Sequence, residues 1–284
     1  MKKLASTFVF SALTLAVGAA AAQSQPVIGL ITKTESNPFF VKMKEGADAE
    51  AKKLGAKLIA AAGKTDGDNA GQVTAMENMI AAGAKTILIT PSDAKAIIPA
   101  IKKAQQQGVM VIALDSPTDP ASAVDALFAT DNYKAGVLIG QYAKAALGGK
   151  KPVIATLDLF PGHPVGAQRH NGFLKGFGLS APDAKSNELG GKAAGKEKDV
   201  LIVSVDGGCA GVKDVGAGVI AATSQQYPLR MAAMGVAAGV EYAKTGKKVS
   251  GYTDTGVTLI AGKPVAGVDS KDVKTGMDLC WGNK

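Results

Sequence analysis

Short apolar runs rich in β-branched residues alternate along most of the chain with longer stretches whose apolar positions recur every three or four residues. That alternation predicts parallel strands joined by crossover helices. Strands are expected over residues 27–31, 57–61, 86–89, 109–114 and 126–129. The first helix carries Phe40, Met43, Ala47, Ala51 and Leu54 on one face and stops at Gly55. A second covers 72–82 and ends at Gly83. A third opens after Pro91, with Ser92 or Asp93 as N-cap, turns Ile97, Ile98, Ile101 and Ala104 inward, and stops at Gly108. A fourth spans 133–147, and Gly148 and Gly149 after it mark passage into a second domain.

The second half repeats this pattern less completely. Strands are expected at 153–157, 200–205 and 219–222, with helices at 165–177 and 228–245. Pro228 suits the first turn of the last helix, where its missing N–H would be unpaired anyway. Residues 179–198 are small, polar and glycine-rich, with no strand pattern. Segments 257–260 and 265–281 add a strand and a closing tail.

Composition narrows the picture. With 46% hydrophobic and 20% charged residues over 284, the chain has ample material for a core, and its length allows one or two domains. The 35 glycines lack the every-third-residue period of collagen and fit tight turns instead. Lys2 and Lys3, the apolar run from Leu4 to Val17 and the Ala20-Ala21-Ala22 site read as a secretory leader cleaved before Gln23. The alternative, a membrane anchor, needs ~20 apolar residues, and the run is shorter. Loss of the two leader lysines lowers the net charge from +8 to +6. The remaining lysines are dispersed along helices without a dense cluster, so nucleic acid is not an expected partner. Two cysteines and two histidines, widely scattered, leave no metal site to expect.

The polar residues of interest follow strands. Asn37 comes a short loop after the first, Asp115 ends the fourth, Asp131 and Asn132 follow the fifth, Asp206 ends the 200–205 run and Gln226 follows 219–222. Ligands of parallel sheets lie outside the carboxyl ends of strands, so these side chains would share rims, and two facing rims make a cleft. The alternative for Asp115 and Asp206 is helix N-capping, and more so for Asn37, which precedes Pro38. Carboxylates, amides and a guanidinium suit a ligand rich in hydroxyls, each of which needs a partner once buried. Phe39 and Phe40 offer flat apolar faces for the C–H side of a sugar ring, although at least one of them is expected in the core.

The stretch Asn37-Pro38-Phe39-Phe40 before an amphipathic helix, TILITPSDAKA at 86–96, VIALDS at 111–116, QRHNGF at 168–173 and VSVDGG at 203–208 resemble the ribose and fructose type of periplasmic sugar-binding proteins. The likeness covers nearly the whole chain after the leader. It implies two doubly wound α/β lobes joined by a hinge: residues 23–131 plus about 227–250, and 132–226 plus about 251–284. It also implies a monomer in the periplasm, without cofactor, that passes a monosaccharide to the membrane permease of an ABC transporter. The sugar-contacting residues of that family correspond to Asn37, Phe39, Phe40, Asp115, Arg169, Asp206 and Gln226. Lys33 stands where ribose binders have a small polar contact residue, and Ser116 where they have an arginine; both departures point away from strict ribose specificity. The family also has two further βα units between the arginine-bearing helix and the D-G strand. Residues 179–198 are too few for even one βαβ unit of ~30 residues, so the second lobe is expected to be incomplete.

Cys209 and Cys280 could form one disulfide in an oxidising compartment, the alternative being two free thiols. Enzyme motifs are absent: no G-x-S-x-G, H-E-x-x-H or G-x-G-x-x-G occurs. The phosphate-loop-like run at 190–197 lacks its final hydroxyl residue and a preceding strand. His163 and His170 read as polar rim residues. Three other readings remain at this point: a sugar-responsive regulator of the lactose-repressor type, a sugar-modifying enzyme using Asp115 and Asp206, and a deletion-damaged binder without tight affinity.

Overall fold

A computed structural model describes residues 25–150, 152–159, 163–180 and 200–282. The leader and most of the glycine-rich stretch at 179–198, including the phosphate-loop-like run, lie outside the described residues. Strands β1 (Val27–Thr32), β2 (Lys57–Ala62), β3 (Thr86–Ile89), β4 (Met110–Leu114) and β5 (Ala126–Ala129) join β8 (Gly251–Asp254) in one parallel sheet of order β2-β1-β3-β4-β5-β8. Alternate strand residues face opposite ways. Ile28, Leu30, Leu88 and Ile112 meet α1 (Pro38–Leu54) and α7 (Pro228–Thr245) in one buried layer. Ile31, Ile87, Ile89 and Val111 meet α2 (Asn69–Ala81) and α3 (Ile98–Gln106) in the other. With both faces covered, the central strands β1, β3 and β4 are almost continuously apolar and legible as runs, whereas the edge strand β8, Gly-Tyr-Thr-Asp, is largely exposed and gives no such run.

The second sheet has the order β6-β7-β9 among the described residues: β6 (Val203–Asp206) is parallel to β7 (Ala222–Gln225), and β9 (Thr258–Ala261) is antiparallel to it. Helices α4 (Asn132–Leu147) and α5 (Pro164–Phe177) cover one face. Helices α6 (Cys209–Gly216) and α8 (Val273–Leu279) cover the other, tied by a Cys209–Cys280 disulfide with Cα atoms 4.9 Å apart.

Several expectations need correction. Residues 153–157 form no strand. Val153 and Leu157 are 92% and 100% exposed, because an extended segment becomes a strand only when a neighbour pairs its backbone groups, and none of the described residues does so here. The strand expected at 219–222 begins at Ala222 instead, after a turn with Gly218 at φ 76°, and its polar residues Thr223, Ser224 and Gln225 are fully buried. Helix α3 starts at Ile98; Asp93 caps the preceding turn by accepting from the backbone N–H groups of Lys95 and Ala96. Residues 251–254, expected in the second lobe, pair with β5 of the first. Helix α6 had no counterpart in the sequence reading.

The placement of the site depends on how α4 crosses α5. Gly136 and Gly140 of α4 face Gly172 and Gly176 of α5, each pair four residues apart. A Cβ on Gly136 would collide with the carbonyl oxygen of Arg169, and one on Gly172 with that of Tyr133. The two backbones therefore touch directly, and a methyl group on either helix must push them apart. We expect Gly136→Ala to lose about 1–3 kcal/mol despite the better helix propensity of alanine, whereas Gly211→Ala in α6, where the added Cβ meets nothing within 4 Å, should be neutral or gain up to ~1 kcal/mol. Urea titration of both variants checks this, and equal effects would show that the crossing is not tightly packed.

Candidate functional site

Five of the residues singled out from the sequence gather where the two lobes face each other. Lys33 follows β1 directly and is 7% exposed. Asp115 follows β4 with φ 64°, and Asp206 ends β6 with φ 97°. Neither caps a helix. A residue with a side chain held in the left-handed region costs of order 1–3 kcal/mol and persists where surroundings enforce it, which marks both aspartates as positioned for a task.

Arg169, on the first turns of α5, reaches two groups: its Nη2 lies 3.0 Å from Asp206 Oδ1, and its Nε donates to Asn132 Oδ1 at 2.8 Å. Gln226, buried directly after β7, donates through Nε2 to the same Asp206 oxygen in a short hydrogen bond. Across the crevice, Lys33 Nζ of the first lobe lies 3.2 Å from His163 Nε2 at the N-terminus of α5. Ser116, where an arginine was expected by resemblance to ribose binders, donates its hydroxyl to Asp115 Oδ2 at 3.1 Å.

Burial raises the Asp115 carboxyl above its usual value; Lys33 and Arg169 pull it down and Asp206 pushes it up. Burial, with Lys33 and Arg169 nearby, lowers His163 to about 4. The imidazole is thus neutral near pH 7 and accepts from the Lys33 ammonium. Lys33 and Arg169 face the two acidic side chains, Asp115 and Asp206.

The remaining candidates are placed differently. Asn37 is the N-cap of α1, its Oδ1 accepting from Phe39 N at 2.9 Å, so the capping alternative holds for that oxygen. Phe39 and Phe40 are both buried in the first-lobe core. Phe39 also meets the Trp281 ring edge-on, with centroids 5.2 Å apart. Trp281 in turn donates through Nε1 to Asp206 O at 3.3 Å and packs beside Gly208, so the C-terminal tail touches both lobes. His163, read from the sequence only as a rim residue, is central. Asn132, named with Asp131 among the polar residues that follow the fifth strand but not among the sugar-contacting ones, is brought into the cluster through Arg169; Trp281 was not singled out as a site residue. His170 faces away from this cluster, with Nδ1 3.0 Å from Asp158 Oδ2. On one side the crevice opens into a cavity of about 1040 Å³ whose wall includes Asp115, Ser116, Asn132 and His163. Lys33, Arg169 and Asp206 are not in that wall.

Comparison with known proteins gives the family of the chain. Residues 28–187 match the periplasmic binding protein domain family. The chain is 31% identical to the ribose import binding protein of Escherichia coli (strain K12) over 299 residues, covering 92% of this chain and 98% of that protein. That aligned length exceeds the chain itself, so the relative has positions without a counterpart here. Similarity to the D-allose-binding periplasmic protein of the same organism is 27% over 78% of this chain and 85% of that one. Among solved structures, a periplasmic solute-binding protein from Actinobacillus succinogenes with bound D-allose superposes with a TM-score of 0.72 at 25% identity, covering 84% of this chain and 98% of that chain.

Because His163 binds a proton less readily when folded than when unfolded, the unfolded chain takes up more protons between pH 6.5 and about 4. Stability from this residue is present above its unfolded pKa and is lost as pH falls through that window. Melting temperature measured against pH should therefore fall more steeply between pH 6.5 and 4.5 for the parent than for His163→Asn; parallel curves would contradict the buried neutral imidazole.

Proposed function

The chain belongs to the periplasmic binding protein family, and from that premise we propose that it is the extracytoplasmic solute-binding component of an ABC transporter, taking a monosaccharide between its lobes. The observation that carries this reading is the pair of aspartates, Asp115 and Asp206, each held at positive φ at the end of a strand and bracketing Arg169 and Lys33. Such a set offers acceptors and donors in fixed places, which suits a ligand rich in hydroxyls.

In this reading the lobes comprise residues 25–131 with 227–254, and 132–226 with 255–282, and the chain crosses between them three times. Opening at those crossings would separate Lys33 from His163, and a sugar would enter and replace that pair with its own hydroxyls. Asp206, oriented by Gln226 and Arg169, accepts from one hydroxyl; Asp115, oriented by Ser116, accepts from another. The amide N–H₂ of Asn37 and the edge of Phe39 complete the first-lobe side. Lys33 replaces a small group and Ser116 an arginine, so cationic contact shifts from one rim position to another, and ribose, fructose and allose are all admissible ligands. The protein binds and hands over its ligand to a membrane permease as a monomer; it performs no chemistry on it and does not engage nucleic acid. The leader at residues 1–22 would deliver it to the periplasm.

One observation favours a second reading. The second sheet has three strands among the described residues, and Val153 and Leu157, expected in a strand of this lobe, stand exposed. A binder shortened in this lobe would fold and hold sugars only weakly. Titration calorimetry of the mature protein against ribose, fructose, allose and galactose separates the two: micromolar or tighter binding supports the transporter component, and millimolar binding to all supports the weakened form. For any sugar bound, Asp206→Ala should lower affinity about 10- to 100-fold, the cost of a charged hydrogen bond in a desolvated site. Unchanged affinity would remove Asp206 from the site.

A further inference from the structure

The cavity beside the polar cluster is larger than a single sugar ring requires. Its volume of about 1040 Å³ lies at the upper end of the ~300–1,000 Å³ usual for small-molecule sites. It begins at Asp115, Ser116, Asn132 and His163 and extends away from Lys33 and Arg169, between the loop at 91–95, the loop at 117–121 and the end of β5. Two phenol rings lie in that extension. Tyr133 is half-buried on the first turn of α4, and Tyr252 of β8 is 53% exposed with its hydroxyl donating to Ala129 O at 3.2 Å, which fixes the ring against the wall.

The charged groups of this extension are already engaged. Asp93 and Asp131 accept from backbone N–H groups at helix or turn starts, and Lys95 pairs with Asp119 at 3.2 Å. The groups left to meet a ligand are the tyrosine faces, the Leu127 side chain and the Gln168 amide, with the buried Thr130 hydroxyl unpartnered among the described residues. Flat apolar faces with one or two neutral hydrogen-bonding groups suit a second ring rather than a charged substituent.

Resting on the sugar-binding reading, we propose a second subsite beside the monosaccharide site: a sugar held by Asp115 and Asp206 can carry a second ring as a glycoside, and that ring seats against Tyr133 and Tyr252. A single ring held by Asp115 leaves these two aromatic faces uncovered, whereas a second ring covers them and displaces water from the wall.

The test is calorimetry on the mature protein with three matched pairs: ribose and adenosine, fructose and sucrose, galactose and lactose. At least one two-ring compound should bind about 10-fold tighter than its single-ring partner, and Tyr133→Ala and Tyr252→Ala should each reduce that preference while leaving single-ring affinity within about 2-fold. Melting curves establish that both variants fold; Tyr252→Ala, at a half-exposed position, is the safer of the two. If single-ring sugars bind and no two-ring partner binds tighter, or if the preference survives both substitutions, the second subsite is refuted while the sugar reading stands. If neither member of any pair binds, the sugar reading fails and the subsite falls with it.

Discussion

The direct contact of two helix backbones, α4 on α5, is the constraint from which the rest of the site follows. Helix α4 begins at Asn132, immediately after β5 of the first sheet, and α5 carries Arg169. Only glycine at 136, 140, 172 and 176 lets the two axes approach until carbonyl oxygens of one helix meet the Cα hydrogens of the other. At that separation the Arg169 guanidinium reaches Asn132 on one side and Asp206 on the other. A wider crossing would pull the arginine away from the strand ends and leave Asp206 with Gln226 alone.

Around this fixed arginine the electrostatics are balanced by pairs that cross between elements remote in sequence. Lys33 and His163 are 130 residues apart, Arg169 and Asn132 are 37 apart. Two aspartates accept backbone strain in order to point their carboxylates into the same crevice, and the C-terminal tail, pinned by the Cys209–Cys280 disulfide, brings Trp281 between Phe39 and Asp206. Closing the 71-residue separation between those cysteines restricts the unfolded chain by ~4 kcal/mol in the entropic account, which favours the ordered tail. The site therefore draws on both lobes and on the tail.

Much of the first lobe could be read directly because its strands are covered on both faces. Residues 86–89 and 126–129 were placed to the residue, since short continuous apolar runs between glycine-ended helices have few other interpretations. The second lobe resisted for a physical reason visible in β7. Thr223, Ser224 and Gln225 are fully buried yet polar, because Ser224 donates to Ala135 O, Thr223 accepts from Ser204, and Gln225 donates to Gly207 O and Gly276 O. A hydrophobicity pattern does not register a strand whose side chains are satisfied by hydrogen bonds. Residues 153–157 fail in the opposite sense: the pattern is that of a strand, but pairing depends on a neighbour elsewhere in the chain. For the site, strand-end aspartates were legible, whereas the importance of His163 depends on a lysine 130 residues away and had no local signal.

The central claim is that Asp115 and Asp206 serve one ligand from opposite lobes. A crystal structure of the mature protein with the sugar that raises its melting temperature most would test it directly. The account predicts hydroxyl oxygens within hydrogen-bonding distance of both carboxylates, with the Lys33–His163 contact replaced or bridged. Sugar bound to one lobe alone, or at a surface away from Arg169, would contradict it.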